Sequence, residues 1–284
     1  MSAQDIFETI SSQYFQLTNS EKKVADYVLA HRMDAQYMSI SELAEECAVA
    51  DATISRFCRR LGLGGYNTFK LELAKASMAA HSARRAGTEE GGRDGFEAMC
   101  RERMQESTAA LEQTVKRLDP EALKRAADLL FQAGRVLCMG QGSSMVLAEE
   151  AWTLLSSISP KFVLVPDSHQ QMAALALMEE GDAALYFSYS GSTREIQDAL
   201  EVAHARKGKV ILITRFPKSP GGLKADVVLQ CGSNEGPLQA GSVPARVAQL
   251  FVLDLLYTEL FQRAPEQAVE CRERIAEAIA RRHV

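Results

Sequence analysis

The sequence has few of the features that mark membrane, secreted or disulfide-rich proteins. Its 284 residues contain no apolar run close to the roughly 18 residues that a membrane helix needs. The longest are Ala183–Phe187 and the Asp-interrupted stretch Val247–Phe261. Gln4, Asp5 and Glu8 stand where a secretory leader needs a basic and then an apolar run. We therefore expect a soluble, cytoplasmic protein without a leader and without a membrane partner.

Cysteine pairs at metal-binding spacing are also missing. No two of the six cysteines have CxxC spacing, and Cys47, Cys58 and Cys138 lie in apolar stretches, where cysteine behaves as a small hydrophobe. Disulfides or a zinc site are the alternative interpretation. We expect reduced thiols, no metal and no cofactor.

Excess positive charge is absent from the whole chain but not from one part of it. The net charge is −5, yet residues 53–75 hold five basic residues against one acidic residue. A local basic surface is what phosphate contact requires, so the overall sign does not exclude a DNA partner. The length exceeds that of most single-core domains, and the composition divides it into residues 1–78, a Gly-rich flexible linker at 79–95 and residues 96–284.

The first domain is predicted to be all helical. Thr18–Glu21 and Ser39–Glu42 are capping boxes that open two helices. A third helix carries an apolar stripe at i, i+3, i+4 and i+7, formed by Ile54, Phe57, Cys58 and Leu61. Glycines from Gly62 onward end it.

Residues 39–61 have the order of a helix-turn-helix, with a capped helix, a turn at residues 48–50 and a basic second helix. Such a second helix enters the major groove of DNA. With the stripe inward, the residues expected on or near the outward surface are Thr53, Ser55, Arg56, Arg59 and Arg60. Tyr66 and Lys70 are expected at backbone phosphates. The alternative is an ordinary amphipathic helix that exposes its charges.

The second domain alternates short apolar strands with helices, which predicts a parallel sheet covered on both faces. Helices are expected at 96–118, 120–133, 245–261 and 265–282. Five strands are expected, at 135–139, 161–165, 183–188, 209–214 and 226–231. By analogy we assume the flavodoxin-like order 2-1-3-4-5, which places a ligand site between the loops after strands one and three.

Two loops rich in glycine and serine follow those strands, Gly140–Ser144 and Ser188–Thr193. Glycine allows backbone N–H groups to approach an anion, and the next helix N-terminus adds positive potential. Serine hydroxyls can donate to phosphate oxygens. The alternative is helix capping by Ser143 and Thr193. Two such loops together predict a phosphate site.

Acid–base catalysis is the competing function, and it needs a positioned carboxylate or histidine. The candidates are His169, Glu149, Glu150 and Glu195, and none lies in a sequence context that marks a catalytic group. His169 follows strand two and is a candidate to contact the ligand. Because an enzyme does not need a basic recognition helix, we expect no enzyme activity and no catalytic residues.

The first 77 residues resemble RpiR-type (MurR/RpiR) bacterial transcription regulators. The resemblance rests on Leu17-Thr-x-x-Glu21, on Ile40–Ala44 and on the ungapped run Ala52–Gly62, followed by Gly65-Tyr66 and Phe69-Lys70. One departure is Ala50, where the family usually has serine before the recognition helix. Asp51 in the first helical turn favours the helix dipole instead.

Residues 121–257 resemble the SIS (sugar isomerase) domain of the same regulators. The resemblance implies that Ser144, Ser188, Ser190 and Thr193 hold a sugar phosphate, with Ser143, Tyr189 and Ser192 beside them. A Ser-Arg pair of the family is Ala245-Arg246 here, which removes one possible ligand hydroxyl.

The resemblance as a whole implies a DNA-binding regulator of sugar or amino-sugar metabolism genes, with repression favoured. It would act as a homodimer or homotetramer on double-stranded operator DNA and respond to a phosphorylated sugar. The alternative is a phosphosugar isomerase-type enzyme with an accessory DNA-binding domain.

Overall fold

The computed structural model describes residues 5–85, 93–238 and 241–280, and the chain divides into two compact units. Unit 1 comprises Met1–Arg103 with Asn234–Ala240, and unit 2 comprises Met104–Ser233 with Gly241–Val284. Among the described residues, no helix is both long and apolar enough to cross a bilayer. None of the six cysteines, all within the described residues, forms a disulfide.

The described part of unit 1 is helical, as the sequence predicts. Its elements are α1 (Ile6–Gln13), a 3-10 turn (Tyr14–Gln16), α2 (Asn19–Ala30), a second 3-10 turn (Ala35–Tyr37), α3 (Ile40–Glu46), α4 (Asp51–Arg60) and α5 (Tyr66–Arg85). Both predicted capping boxes are present. The Thr18 and Ser39 hydroxyls accept from the backbone N–H groups of Glu21 and Glu42, and the carboxylates of these glutamates accept from the backbone N–H groups of Thr18 and Ser39. These local contacts explain where α2 and α3 begin.

The core of unit 1 is formed by the apolar faces of these helices. Ile54, Phe57 and Cys58 of α4 have no solvent exposure, which confirms the predicted stripe. Phe57 meets Phe69 of α5 edge to face, with ring centroids 5.7 Å apart. The core therefore fixes which side of α4 remains outside.

The segment expected to be a linker, residues 79–95, is partly helical instead. Helix α5 continues to Arg85, and α6 (Arg93–Arg117) begins before the expected end of the linker. Five of the seven residues 79–85 are alanine or arginine, which are strong helix formers. Residues 86–92 lie outside the described part of the chain.

Unit 2 contains a five-stranded, all-parallel sheet in the order β2-β1-β3-β4-β5, the order that the sequence analysis assumed. The strands are β1 (Val136–Gly140), β2 (Phe162–Leu164), β3 (Ala183–Phe187), β4 (Lys209–Thr214) and β5 (Val227–Gln230). The helices that follow α6 in the chain are α7 (Pro120–Gln132), α8 (Ser143–Ser156), α9 (Ser168–Ala176), α10 (Arg194–Ala205), α11 (Val243–Arg263) and α12 (Pro265–Ala280).

Both faces of the sheet are covered. Val136 and Cys138 of β1 pack with residues of α7, α8 and α11, whereas Leu137 and Met139 pack with residues of α9 and α10. Successive side chains of a strand point to opposite faces, so strands buried on both sides are apolar throughout. Polar residues are therefore concentrated in the loops at the ends of the strands.

Candidate functional site

The second helix of the predicted helix-turn-helix, α4, begins after a strained turn. Ala48 has φ +50°, a conformation that favours glycine, and it ends α3 in that conformation. Ala50 is the N-cap of α4 and provides no side-chain bond. Asp51 follows and accepts from the Ser41 hydroxyl at 2.8 Å. The acid in the first turn thus ties α4 to α3.

The predicted DNA-contacting residues of α4 include three exposed arginines, Arg56, Arg59 and Arg60, and the half-buried Ser55. They lie away from the buried stripe, where the sequence analysis expects contacts with base edges. Lys70 of α5 is half-buried. A compact helical unit with an exposed basic helix can place guanidinium groups in a DNA groove.

Three of the predicted DNA-contacting residues make side-chain contacts within unit 1. Thr53 is only 6% exposed, and its hydroxyl accepts from Arg56 at 3.1 Å. The Tyr66 hydroxyl donates to the carbonyl of Met38 at 3.0 Å, and burial raises the pKa of Tyr66. Neither side chain points outward, because each completes contacts within unit 1.

Arg60 is exposed, and it is the third residue with a side-chain contact inside unit 1. Its Nε donates to the carboxylate of Glu21 at 3.1 Å, and its Nη1 donates to the carbonyl of Gln16 at 3.0 Å. Burial raises the pKa of Glu21, but hydrogen bonds from Thr18 and the Arg60 charge outweigh it and lower the pKa overall. Arg60 therefore neutralises a buried carboxylate, a role that spacing along α4 does not reveal.

The two serine loops of unit 2 begin at neighbouring positions of the sheet. Gly140 and Phe187 are register partners on the parallel strands β1 and β3, and each is the last residue of its strand. The loop Gly140–Ser144 (loop 1) and the loop Ser188–Thr193 (loop 2) therefore both start at the carboxyl edge. This is the edge at which open α/β sheets bind ligands.

Helix capping does not account for the hydroxyls of these loops. Helix α8 begins at Ser143 and its N-cap is Gly142, so Ser143 and Ser144 lie inside the first turn. Thr193 is the N-cap of α10, but its side chain makes no capping hydrogen bond. The hydroxyls are thus placed beside two helix N-termini, where positive potential favours an anion.

Loop 1 is held by a buried glutamine that the sequence analysis missed. Gln171 of α9 is 3% exposed, and its Nε2 donates to the carbonyls of Gly140 at 3.0 Å and Val165 at 2.8 Å. Its Oε1 accepts from Gln141 at 2.8 Å. A polar residue on the buried face of a helix was the available signal, because buried amides need partners.

Loop 2 is held by its own serines. The Ser188 hydroxyl accepts from the Gly191 N–H at 3.2 Å, and the Ser190 hydroxyl accepts from the Ser192 N–H at 3.3 Å. Ser192 donates its own hydroxyl to the Ser190 carbonyl at 3.0 Å. These short-range bonds define the turn that the loop makes after β3.

Residues at and after the ends of β4 and β5 form hydrogen bonds with loop 2. The Gly221 N–H donates to the Gly191 carbonyl at 2.8 Å. The Thr214 hydroxyl donates to the carbonyl of Tyr189 at 3.0 Å, and the Tyr189 hydroxyl donates to Ser233 at 3.1 Å. Ser188 is buried, Ser190 and Ser144 are half-buried, and Ser143, Ser192 and Thr193 are exposed. The two loops thus present hydroxyls that range from buried to exposed, and hydrogen bonds hold the backbone of loop 2 in place.

The four candidate catalytic residues lie on exposed helix positions outside the two serine loops. His169 lies in the first turn of α9, and Glu149, Glu150 and Glu195 lie on α8 and α10. All four are exposed. General acids and bases are usually tuned by burial or close charged partners, and these four side chains are not buried. Ala245, where the family has serine, offers no hydroxyl to a ligand, and it is 1% exposed.

Comparison with known proteins agrees with the division into a helix-turn-helix and a sheet domain. Residues 4–80 match the model of the helix-turn-helix domain of the rpiR family, and residues 129–259 match that of the SIS domain. The HTH-type transcriptional regulator HexR of Pseudomonas aeruginosa is 32% identical over 258 residues, which is 89% of this chain and 88% of that protein.

Two solved structures are similar to the chain at different levels. The Vibrio vulnificus NanR protein, complexed with ManNAc-6P, superposes with TM-score 0.80 at 26% identity, and the match covers 96% of this chain and 97% of NanR. A protein of Listeria monocytogenes described as a sugar-phosphate isomerase superposes with TM-score 0.56 at 18% identity, covering 63% of this chain and 96% of that one. The second likeness shows the fold alone.

Proposed function

Because the chain belongs to the rpiR family of helix-turn-helix transcriptional regulators with a SIS domain, we propose that it is controlled by a phosphorylated sugar. The effector phosphate would bind between loop 1 and loop 2, and α4 would bind an operator in cytoplasmic DNA. Repression of sugar or amino-sugar metabolism genes is the favoured outcome. The regulator would be a homodimer or homotetramer, because paired half-sites need paired helices.

One observation carries this proposal. Two hydroxyl-rich loops begin at register partners on adjacent parallel strands, and neither uses its hydroxyls to cap the helix that follows. Neither loop contains a carboxylate. An uncharged, donor-rich site beside two helix N-termini favours a phosphate group. Ser144, Ser188, Ser190 and Thr193 are the proposed phosphate ligands.

The remaining contacts to the effector follow from their positions. We propose that Ser143, Tyr189 and Ser192 lie beside the phosphate and that His169 contacts the sugar. The NanR protein, solved with ManNAc-6P, supports an amino-sugar phosphate as the first effector to test. The exposure of the four described acid–base candidates supports sensing over isomerisation.

Effector binding is tested by calorimetry with ManNAc-6P and other sugar phosphates on the full chain. Hydrogen bonds to a charged group contribute about 1.5–3 kcal/mol, so Ser144→Ala or Ser190→Ala should weaken binding at least about tenfold. Ser156→Ala, at the far end of α8, is the matched control and should bind as the parent does. Equal affinity in all variants would refute the phosphate site.

DNA binding is tested with sequences selected from random double-stranded DNA. Arg56→Ala and Arg59→Ala should each weaken binding by about 1–3 kcal/mol if the residue contacts a base, or lower the salt dependence if it contacts a phosphate. Arg206→Ala removes an exposed arginine of unit 2 and serves as the charge control. Unchanged affinity in both α4 variants would show that α4 is not the recognition helix.

Coupling between the two sites is tested by titrating effector into the protein–DNA complex. Effector and DNA should change each other's affinity by the same factor. Ser190→Ala should keep its DNA affinity and lose the response. An operator affinity that stays constant at saturating effector would refute the coupling while leaving both binding sites in place. The same samples, assayed for isomerised sugar, test the enzyme alternative.

A further inference from the structure

A cavity of about 350 Å³ lies in unit 2, away from the serine loops. It is lined by the end of α7, the residues leading into β2 and the junction between α11 and α12. Lys161 directly precedes β2, so the cavity lies at the amino edge of the sheet, whereas the serine loops lie at the carboxyl edge. The volume is at the lower end of the range for small-molecule pockets.

The wall of the cavity combines an apolar surface with one cation. Phe131, Ile158 and Leu260 contribute the apolar part. Lys161 is half-buried, and its ammonium donates a hydrogen bond to the carbonyl of Phe131 at 2.6 Å. The ammonium also lies 5.6 Å from the centre of the Phe131 ring. The cation is therefore held at the wall by the same residue that supplies apolar area.

The charge of Lys161 is only partly compensated. An ammonium has three donors, and within the described residues Lys161 forms no ion pair with a carboxylate. Burial lowers its pKa, and no neighbouring acid raises it. Desolvating a cation without a counter-charge is unfavourable, so an anionic ligand would stabilise this position.

The start of α12 adds positive potential to the same cavity. Gln267 and Ala268, in the first turns of this sixteen-residue helix, belong to the lining. A helix N-terminus favours negative charge. The Ala268 N–H is bonded to the Ala264 carbonyl, and the acidic residue of this turn, Glu266, is exposed and lies outside the lining. Lys161 is the only cationic side chain among the described lining residues, and Arg263, which ends α11, is paired with Asp128 and Glu259. Lys161 is thus the cation available to a ligand.

We propose that this cavity binds a small organic acid, with its carboxylate at Lys161 and its apolar body against Phe131, Ile158 and Leu260. The occupant carries a carboxylate because the polar groups present are one ammonium, a helix N-terminus and neutral side chains. A cavity of about 150 Å³ holds one benzene ring, so a volume of about 350 Å³ has room for an acid with one or two rings. The site is a second ligand input, independent of the phosphate at the serine loops.

Benzoate is the probe, and its neutral isostere benzamide is the matched ligand. Ligand-observed NMR titration of the full chain should show benzoate binding that falls about tenfold in Lys161→Gln. Lys207→Gln, an exposed lysine paired with Glu180 in the same unit, is the control and should leave the affinity unchanged. Benzamide should bind the parent no better than benzoate binds Lys161→Gln.

A second variant keeps the test decisive if Lys161→Gln folds poorly. Ala264→Phe places a ring into the cavity and should abolish benzoate binding while circular dichroism stays unchanged. Addition of a sugar phosphate should not compete with benzoate. Equal affinity of benzoate and benzamide, equal affinity in Lys161→Gln, or no binding at tens of millimolar benzoate would each overturn the proposal.

Discussion

Replacing Gly191 of loop 2 by alanine tests whether the phosphate site is a rigid, closely packed structure. Gly191 has φ +58°, and a Cβ there would press on the Ser219 hydroxyl and approach Thr214. Ser219 cannot rotate away without loss, because its hydroxyl accepts from the Gly222 N–H at 3.1 Å. Gly142 of loop 1 has a similar φ of +55° but no atom within 4 Å of its added Cβ. It isolates the backbone effect.

The expected magnitudes differ between the two variants. A strained backbone conformation costs about 1–3 kcal/mol, and the reduced freedom of the unfolded chain offsets about 0.4–1 kcal/mol of that. Gly142→Ala should therefore destabilise by about 1–2 kcal/mol. Gly191→Ala adds an overpacking cost of about 1–3 kcal/mol, and it should be less stable than Gly142→Ala by about 2 kcal/mol.

The assay uses the single tryptophan of the chain, Trp152, which lies on α8 in unit 2. Its fluorescence reports the unfolding of unit 2 in urea. With a slope near 2 kcal/mol per molar urea, the midpoint should fall by about 0.5–1 M in Gly142→Ala and by about a further 1 M in Gly191→Ala. Equal midpoints in the two variants would refute the close packing of loop 2 on Ser219.

Three further variants test other parts of the structure. Ala50→Ser should supply the missing N-cap of α4 and stabilise unit 1 by about 1 kcal/mol, measured by thermal unfolding followed by circular dichroism. Tyr66→Phe removes the buried hydroxyl that donates to the residues before α3, and should destabilise unit 1 by about 1–2 kcal/mol in the same assay. In Asp226, burial raises the pKa, but bonds from Lys209, the Val210 N–H and His204 lower it below 3.8 overall. This carboxylate therefore stabilises the fold above about pH 4 and loses the effect as pH falls, so urea unfolding of Asp226→Asn should depend less on pH below about 4.

The helices and strands follow closely from local sequence. The capping boxes at Thr18 and Ser39 mark where α2 and α3 begin, because their hydrogen bonds span only three residues. The strands are bounded to within one or two residues because each is a short, continuous apolar run between polar segments. Within the stretch expected to be a linker, residues 79–95, α5 reaches Arg85 and α6 begins at Arg93.

The order of the strands and the position of the two loops were only partly readable from sequence. The pattern of apolar strands and helices predicted a parallel sheet, but its order rested on analogy. Register between Gly140 and Phe187, on strands more than forty residues apart, is what places loops 1 and 2 side by side. Pairing at that distance depends on the whole unit closing around its core.

Side-chain roles within the sites depended most on the tertiary structure. Spacing along α4 shows that Arg56 and Arg59 lie opposite the stripe, but it cannot show that Arg60 meets Glu21 of α2. Nor can it show that the Tyr66 hydroxyl turns inward or that Gln171 holds loop 1. Periodicity assigns a residue to a face, whereas a hydrogen bond depends on which other segment folding brings against that face.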